Sequence, residues 1–188
     1  MGLVRIYSEQ EVGKILKESE GVGLPNEGGQ GHSEGLHEIV AVGRGRESTS
    51  VAGLEDRALT ERKSTVGAFD GSQIKAVTFA LNTQAGQNTL AFLNAKAVWY
   101  VFTKINVSGQ GFKMKLTQVA DMPKIGPATA PVTSDKIAQF VCMKLMANDG
   151  ALHIRTAYPV WDQAPLPQPT CEIVYRGDGG KMNQELPV

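Results

Sequence analysis

The chain has 188 residues, 41% of them hydrophobic, which is enough to bury one core and fits one domain or one domain with a tail. Its 19 lysines and arginines equal its 19 aspartates and glutamates, which argues against a protein whose main task is to coat nucleic acid. Two cysteines are too few for a disulfide scaffold or a four-thiolate zinc site, and the sequence predicts no membrane span.

Helices are predicted through the first half of the chain. The first covers residues 8–19, where Ser8 is a candidate N-cap and apolar residues recur at helical spacing. A glycine-rich connector follows over 20–31, so we interpret residues 1–29 as an N-terminal arm or linker. Further helices are expected over 32–42, 53–62, 73–82 and 85–96, with a polar loop at 43–52.

Strands are predicted after residue 97. Ala97–Val107 is rich in β-branched and aromatic residues, and Phe112–Val119 alternates in polarity. A loop with three prolines is expected over 120–135. Lys136–Met146 and Ala151–Tyr158 then flank Asn148-Asp149-Gly150, a strong hairpin turn. Helices followed by antiparallel strands predict an α+β fold.

The end of the chain is predicted to be irregular. Cys171–Tyr175 is expected to form a short edge strand, and the polar residues after it are expected to be loose. Cys142 lies in an apolar run and is interpreted as a buried thiol, with a Cys142–Cys171 disulfide as the alternative.

Two histidines close in sequence offer proton-transfer chemistry. Cleavage of RNA by its own 2′-hydroxyl needs a base, an acid for the leaving 5′-oxygen and a donor for the phosphorane charge. A spacing of five would turn His32 and His37 about 140° apart on one continuous helix. The two converge only if His32 lies in the loop and His37 in the helix. Taken alone, two surface histidines remain the commoner explanation.

Strand alternation places Thr156 and Tyr158 on one face, where two hydroxyls could bond a phosphate, and turns His153 to the other face. Arg57, on a predicted helix, could offer a forked donor set to the same group. Taken alone, an amphipathic strand end and an Arg57–Glu61 surface pair remain the commoner explanations for these residues.

The order of these elements resembles the RNase A-like toxin domain of contact-dependent growth inhibition proteins and related polymorphic bacterial toxins. Gly31, His32 and His37 match its Gly-His-x-x-x-x-His motif, and Leu54 with Arg57 matches Leu-x-x-Arg. Ser64–Asp70 matches a Ser/Thr-rich stretch with Ala-Phe, and Thr156-Ala157-Tyr158-Pro159 matches the closing Thr-x-Tyr-Pro. The resemblance covers residues 30–160 and leaves 161–188 as a C-terminal extension.

The resemblance implies a curved antiparallel sheet and a metal-independent ribonuclease without a cofactor. His37 would be the principal catalytic histidine, with His32 as the second. Arg57, Thr156 and Tyr158 would contact the phosphate and the transition state. The implied substrate is single-stranded RNA or tRNA, cut to a 2′,3′-cyclic phosphate. The implied setting is a secreted effector acting in the target-cell cytoplasm, with a cognate immunity protein as partner.

Several alternatives stay open at this stage. The gap from His37 to Arg57 is longer than the family pattern, so Arg44 or Arg46 could supply the cation instead. His32 or Tyr158 could protonate the leaving oxygen. The rival functions are a non-catalytic interaction or structural module and an ADP-ribosyltransferase-type toxin.

Overall fold

The computed structural model describes residues 2–23, 31, 37–39, 50–95, 97–123, 126–161, 168–177 and 180–187. The helices in these ranges are α1 (Glu9–Ser19), α2 (Val51–Thr60), α3 (Gln73–Asn82) and α4 (Gln84–Leu93). The strands are β1 (Glu38–Ile39), β2 (Thr65–Asp70), β3 (Val98–Asn106), β4 (Lys113–Gln118), β5 (Val132–Ile137), β6 (Phe140–Asn148), β7 (Ala151–Val160), β8 (Thr170–Tyr175) and β9 (Lys181–Glu185). The predicted α+β class is confirmed.

The strands form two sheets. One has the order β1-β2-β4-β5, with β1 parallel to β2 and the other pairs antiparallel. The other is antiparallel throughout, in the order β7-β6-β3-β8-β9. The sheets meet at Gly67 of β2, where an added side-chain carbon would lie 3.3 Å from the carbonyl oxygen of Pro159 in β7. A glycine here lets the two strands approach closely.

The main core lies between the five-stranded sheet and helices α1, α3 and α4. Helix α1 begins at the predicted N-cap, because Ser8 Oγ accepts from the Glu11 N–H and the Glu11 carboxylate accepts from the Ser8 N–H. A smaller core joins α2 to the four-stranded sheet through Leu54 and Ala58. Among the described helices, none has the length and apolar character needed to cross a membrane.

Several predicted boundaries are wrong. The helix expected over 32–42 does not include Glu38–Ile39, which form β1. Thr65–Asp70, which carried no strand prediction, is β2. The loop expected over 120–135 contains the start of β5, and β6 begins only at Phe140. β1 has only two residues and β5 is largely polar, so pairing with neighbouring strands, not composition, makes these two segments strands.

Both ends of the described chain pack onto the main core. Leu3 and Tyr7 are buried before α1, and Leu186 is buried after β9. β8 is an interior strand, not an edge strand, because β9 pairs with it. The polar end predicted to be loose is therefore part of the sheet, whereas the division into 1–29, 30–160 and 161–188 stays a prediction.

A β-bulge interrupts the predicted alternation along β7. Lys144 of β6 pairs with Thr156, but the next residue, Leu145, pairs with Ile154. Arg155 is therefore an extra residue, which changes the face on which every earlier side chain of β7 lies. Ile154 consequently points into the main core.

The bulge brings His153 to the face that carries Thr156 and Tyr158. His153 pairs with Met146, which lies two residues from Lys144 and so on the same face of β6. The prediction that His153 points away from Thr156 and Tyr158 is wrong, because a strict period of two fails across an inserted residue.

The two cysteines are buried free thiols. Cys142 pairs with Lys104 and Cys171 with Thr103, its neighbour on β3. Consecutive strand residues point to opposite faces, so the thiols lie on opposite sides of the sheet and cannot form a bridge. Burial raises the pKa of Cys142 to about 11 and that of Cys171 to about 12, so both stay protonated at neutral pH.

Candidate functional site

A cleft of about 360 Å³ opens where the two sheets meet. Its walls come from α2, β2, β4, β7 and the residue before β1. Four of the five predicted site residues line it: His37, Arg57, Thr156 and Tyr158. The fifth, His32, lies outside the described residues, as do Arg44 and Arg46, the alternative cations.

His37 is held at the cleft between two elements. Its backbone leads directly into β1, where Glu38 pairs with Phe69 of β2. The residue is 5% exposed, and its ring centroid lies 5.2 Å from that of Tyr158, with the ring planes tilted by 36°. The contact places an imidazole beside a phenol at the wall of the cleft.

Gln73, at the first position of α3, links β1, which directly follows His37, to β7, which carries Tyr158. Its backbone N–H donates to the Glu38 carboxylate at 3.1 Å, next to His37. Its side-chain amide donates to the carbonyl of Ala157 at 3.0 Å, between Thr156 and Tyr158. Sequence reasoning missed Gln73 because a glutamine at a helix start carries no chemical signature of its own.

Replacing Gln73 with alanine is expected to lower both stability and any activity of the cleft. The loss leaves the buried carbonyl of Ala157 without its side-chain donor, at a cost of about 1–3 kcal/mol in free energy of unfolding. Urea denaturation measures this cost. Gln84→Ala, at an exposed position of α4, should shift the midpoint little. A Gln73→Ala variant as stable as the parent would contradict the linking role.

The Thr156 hydroxyl is buried at the wall of the cleft. Thr156 is 9% exposed, and its Oγ1 makes no hydrogen bond within the described part of the chain. A buried hydroxyl without a partner costs free energy, and such groups are rare in folded proteins.

Tyr158 is a hydrogen-bond donor at neutral pH. Burial raises the pKa of its phenol well above the usual value, and the neighbouring Cys142 thiol raises it further. A phenol with a raised pKa remains protonated, so it can donate to a phosphate oxygen but cannot act as the base.

Two cations also line the cleft. Arg57 is 12% exposed at its side chain, and its Nε donates to Glu61 Oε1 at 3.2 Å. The predicted Arg57–Glu61 pair is thus confirmed, while Arg57 also lines the cleft. Lys63, which sequence reasoning did not select, lies close by and forms an ion pair with Glu61 as well. A shared carboxylate orients both cations at one wall.

The cleft combines an imidazole, two cations and the hydroxyls of Thr65, Thr156 and Tyr158, and groups of these kinds can bind a phosphate and move a proton beside it. Within the described ranges, no group of three or more His, Cys, Asp or Glu side chains is placed to hold a metal ion. Comparison of the chain with family models, with curated proteins and with solved structures gave no match.

Proposed function

We propose that this protein is a metal-independent endoribonuclease toxin that cleaves single-stranded RNA or tRNA. The observation that carries the proposal is the convergence of His37, Arg57, Thr156 and Tyr158 on one cleft. These residues come from three separate parts of the chain: the residue before β1, helix α2 and strand β7.

The chemistry follows from the groups at the cleft. His37 takes the proton of a ribose 2′-hydroxyl, and the 2′-oxygen attacks the adjacent phosphorus. The bond from phosphorus to the 5′-oxygen breaks, which leaves a 2′,3′-cyclic phosphate and a 5′-hydroxyl end. Arg57 offsets the charge that grows on the phosphorane, and Thr156 and Tyr158 donate hydrogen bonds to its oxygens.

The proton for the leaving 5′-oxygen has two candidate sources. Tyr158 lies at the cleft in its protonated form, and His32 is the second candidate. Cleavage by a Tyr158→Phe variant separates them, because phenylalanine keeps the ring but lacks the proton. Retained product release would assign the step to His32.

The same proposal includes a biological setting. The protein would be a secreted or delivered effector that acts in the cytoplasm of a target bacterium, and a cognate immunity protein would block it. The balanced net charge fits an enzyme that grips RNA locally at one cleft.

The test is incubation of the purified protein with tRNA and with unstructured RNA in EDTA. We expect fragments that end in a 2′,3′-cyclic phosphate, identified by mass spectrometry and by acid conversion to the monophosphate. Intact RNA would contradict the proposal. Release of nicotinamide from nicotinamide adenine dinucleotide with intact RNA would favour the ADP-ribosyltransferase alternative.

A further inference from the structure

The five-stranded sheet has a second face, turned away from α1, α3 and α4, which we call the outer face. Four side chains on it form what we call the aromatic–lysine platform: Tyr100, Phe102 and Lys104 of β3, and Lys144 of β6. All four are half-buried, so part of each remains accessible.

The platform is continuous with the cleft. Thr156 pairs with Lys144, and Lys144 pairs with Phe102, so the three form one row across β7, β6 and β3. Neighbouring strands lie about 4.8 Å apart, which puts Phe102 about 10 Å from Thr156. The Tyr158 ring lies between the cleft and the platform, because its centroid is 6.4 Å from that of Phe102.

Positive charge is held against the aromatic surface of the sheet. Lys144 Nζ lies 3.8 Å from the centroid of the Tyr100 ring, and Lys104 Nζ lies 4.2 Å from that of Phe140. Cations beside aromatic faces match single-stranded nucleic acid, whose phosphates need cations and whose unpaired bases can stack.

Carboxylates limit the platform on its far side. Glu172 of β8 pairs with Phe102, and Glu172 and Glu185 both line the groove beyond that ring. Lys181 forms an ion pair with Glu172 at 3.3 Å. Phosphates are therefore favoured over β6 and β3 and disfavoured over β8 and β9.

We propose that the platform binds the nucleotides next to the scissile phosphate of a single-stranded RNA. Bases stack on Phe102 and Tyr100, and phosphates contact Lys144 and Lys104. The inference rests on the proposed function, since the cleft would hold the bond that is cut. It goes beyond that function because it assigns the substrate class to a particular surface and predicts weak binding of duplex RNA, whose bases are already paired.

The first test measures binding without cleavage. Fluorescence anisotropy follows a labelled unstructured RNA of about ten nucleotides on the His37→Ala variant. In that background, Phe102→Leu keeps apolar volume but removes the aromatic face, and it should weaken binding about fivefold to a hundredfold. Phe102→Tyr should restore binding. Equal affinity of Phe102→Leu and its parent would overturn the platform.

The second test uses salt dependence. Lys104→Gln with Lys144→Gln should reduce the slope of log affinity against log salt by about 1.4, because each phosphate contact on a single strand contributes about 0.7. Lys14→Gln, on an exposed turn of α1, is the matched control and should leave the slope unchanged. An unchanged slope in the double variant, or equal affinity for duplex RNA, would overturn the inference.

The outcomes separate the inference from the proposed function. RNA binding that depends on Phe102, with no cleavage by the His37-containing parent, would keep the platform and reject the ribonuclease. The ratio of the cleavage rate on long RNA to that on a dinucleotide is compared between the parent and Phe102→Leu. An equal ratio would keep the ribonuclease and reject the platform. If both proposals hold, Phe102→Leu should raise KM for long RNA and leave KM for the dinucleotide unchanged.

Discussion

Replacing His37 with alanine is expected to lower the rate of RNA cleavage by ~10²–10⁴-fold. Loss of a positioned general base removes about this much from the rate of a proton-coupled step. Among the described groups that line the cleft, none can substitute, because the Tyr158 phenol remains protonated and Arg57 and Lys63 are cations. Initial rates on tRNA in EDTA measure the effect.

His153 provides the matched control for this experiment. It is also a buried histidine on the same face as Thr156 and Tyr158, but it does not line the cleft. His153→Gln should therefore lower the melting temperature, whereas the activity per folded molecule should change little. If His153→Gln lost cleavage and His37→Ala retained it, the base would have to be reassigned to His153.

The same comparison can be made in cells. Cytosolic expression of the parent in bacteria is expected to stop growth, and His37→Ala should remove this toxicity at an equal level of folded protein. Equal toxicity of the two proteins would contradict an RNase mechanism based on His37 and would favour the alternative functions.

Replacing Thr156 with valine is expected to reduce cleavage about 10²-fold without lowering the melting temperature. Valine keeps the shape of the side chain but removes a buried hydroxyl that has no partner in the described part of the chain. Removing such a group relieves its desolvation cost. Removing one donor to a charged transition state typically costs a factor of this size in rate.

Thr103 is the matched control with the opposite expected signature. Its hydroxyl is fully buried, contacts that of Thr89 at 3.2 Å and donates to the Thr170 carbonyl at 3.1 Å. Thr103→Val should therefore lower the free energy of unfolding by about 1–2 kcal/mol while leaving kcat unchanged. A Thr156→Val variant that lost stability but kept its activity would show a structural role instead.

Some features of this protein follow from local sequence. Ser8 and Glu11 lie three residues apart and satisfy the first turn of α1 between themselves, so the start of this helix is predictable. The turn after Asn148 is equally local, because Asp149 and Gly150 both take the positive φ that a two-residue hairpin needs, at 49° and 77°. The same local patterns were enough to predict the α+β class.

The candidate site mixes local and long-range information. The residue types at His37, Arg57, Thr156 and Tyr158 were selected from short motifs and their order. Their convergence could not be predicted, because it depends on the close approach of β2 to β7. That approach joins two sheets whose strands pair across long stretches of chain.

Only the tertiary structure decided which face of a strand each side chain occupies and which residues hold the site residues in place. Alternation along β7 predicted the wrong face for His153, because no local sequence pattern indicates that Arg155 is an extra residue opposite β6. The roles of Gln73 and of the platform around Phe102 likewise depend on contacts with residues distant in sequence. The sequence by itself determined which chemical groups the chain carries and where its local turns begin. Strand register and the contact between the two sheets determined which of those groups share one surface. The physical reason is that side chains far apart in sequence are brought together only by long-range pairing.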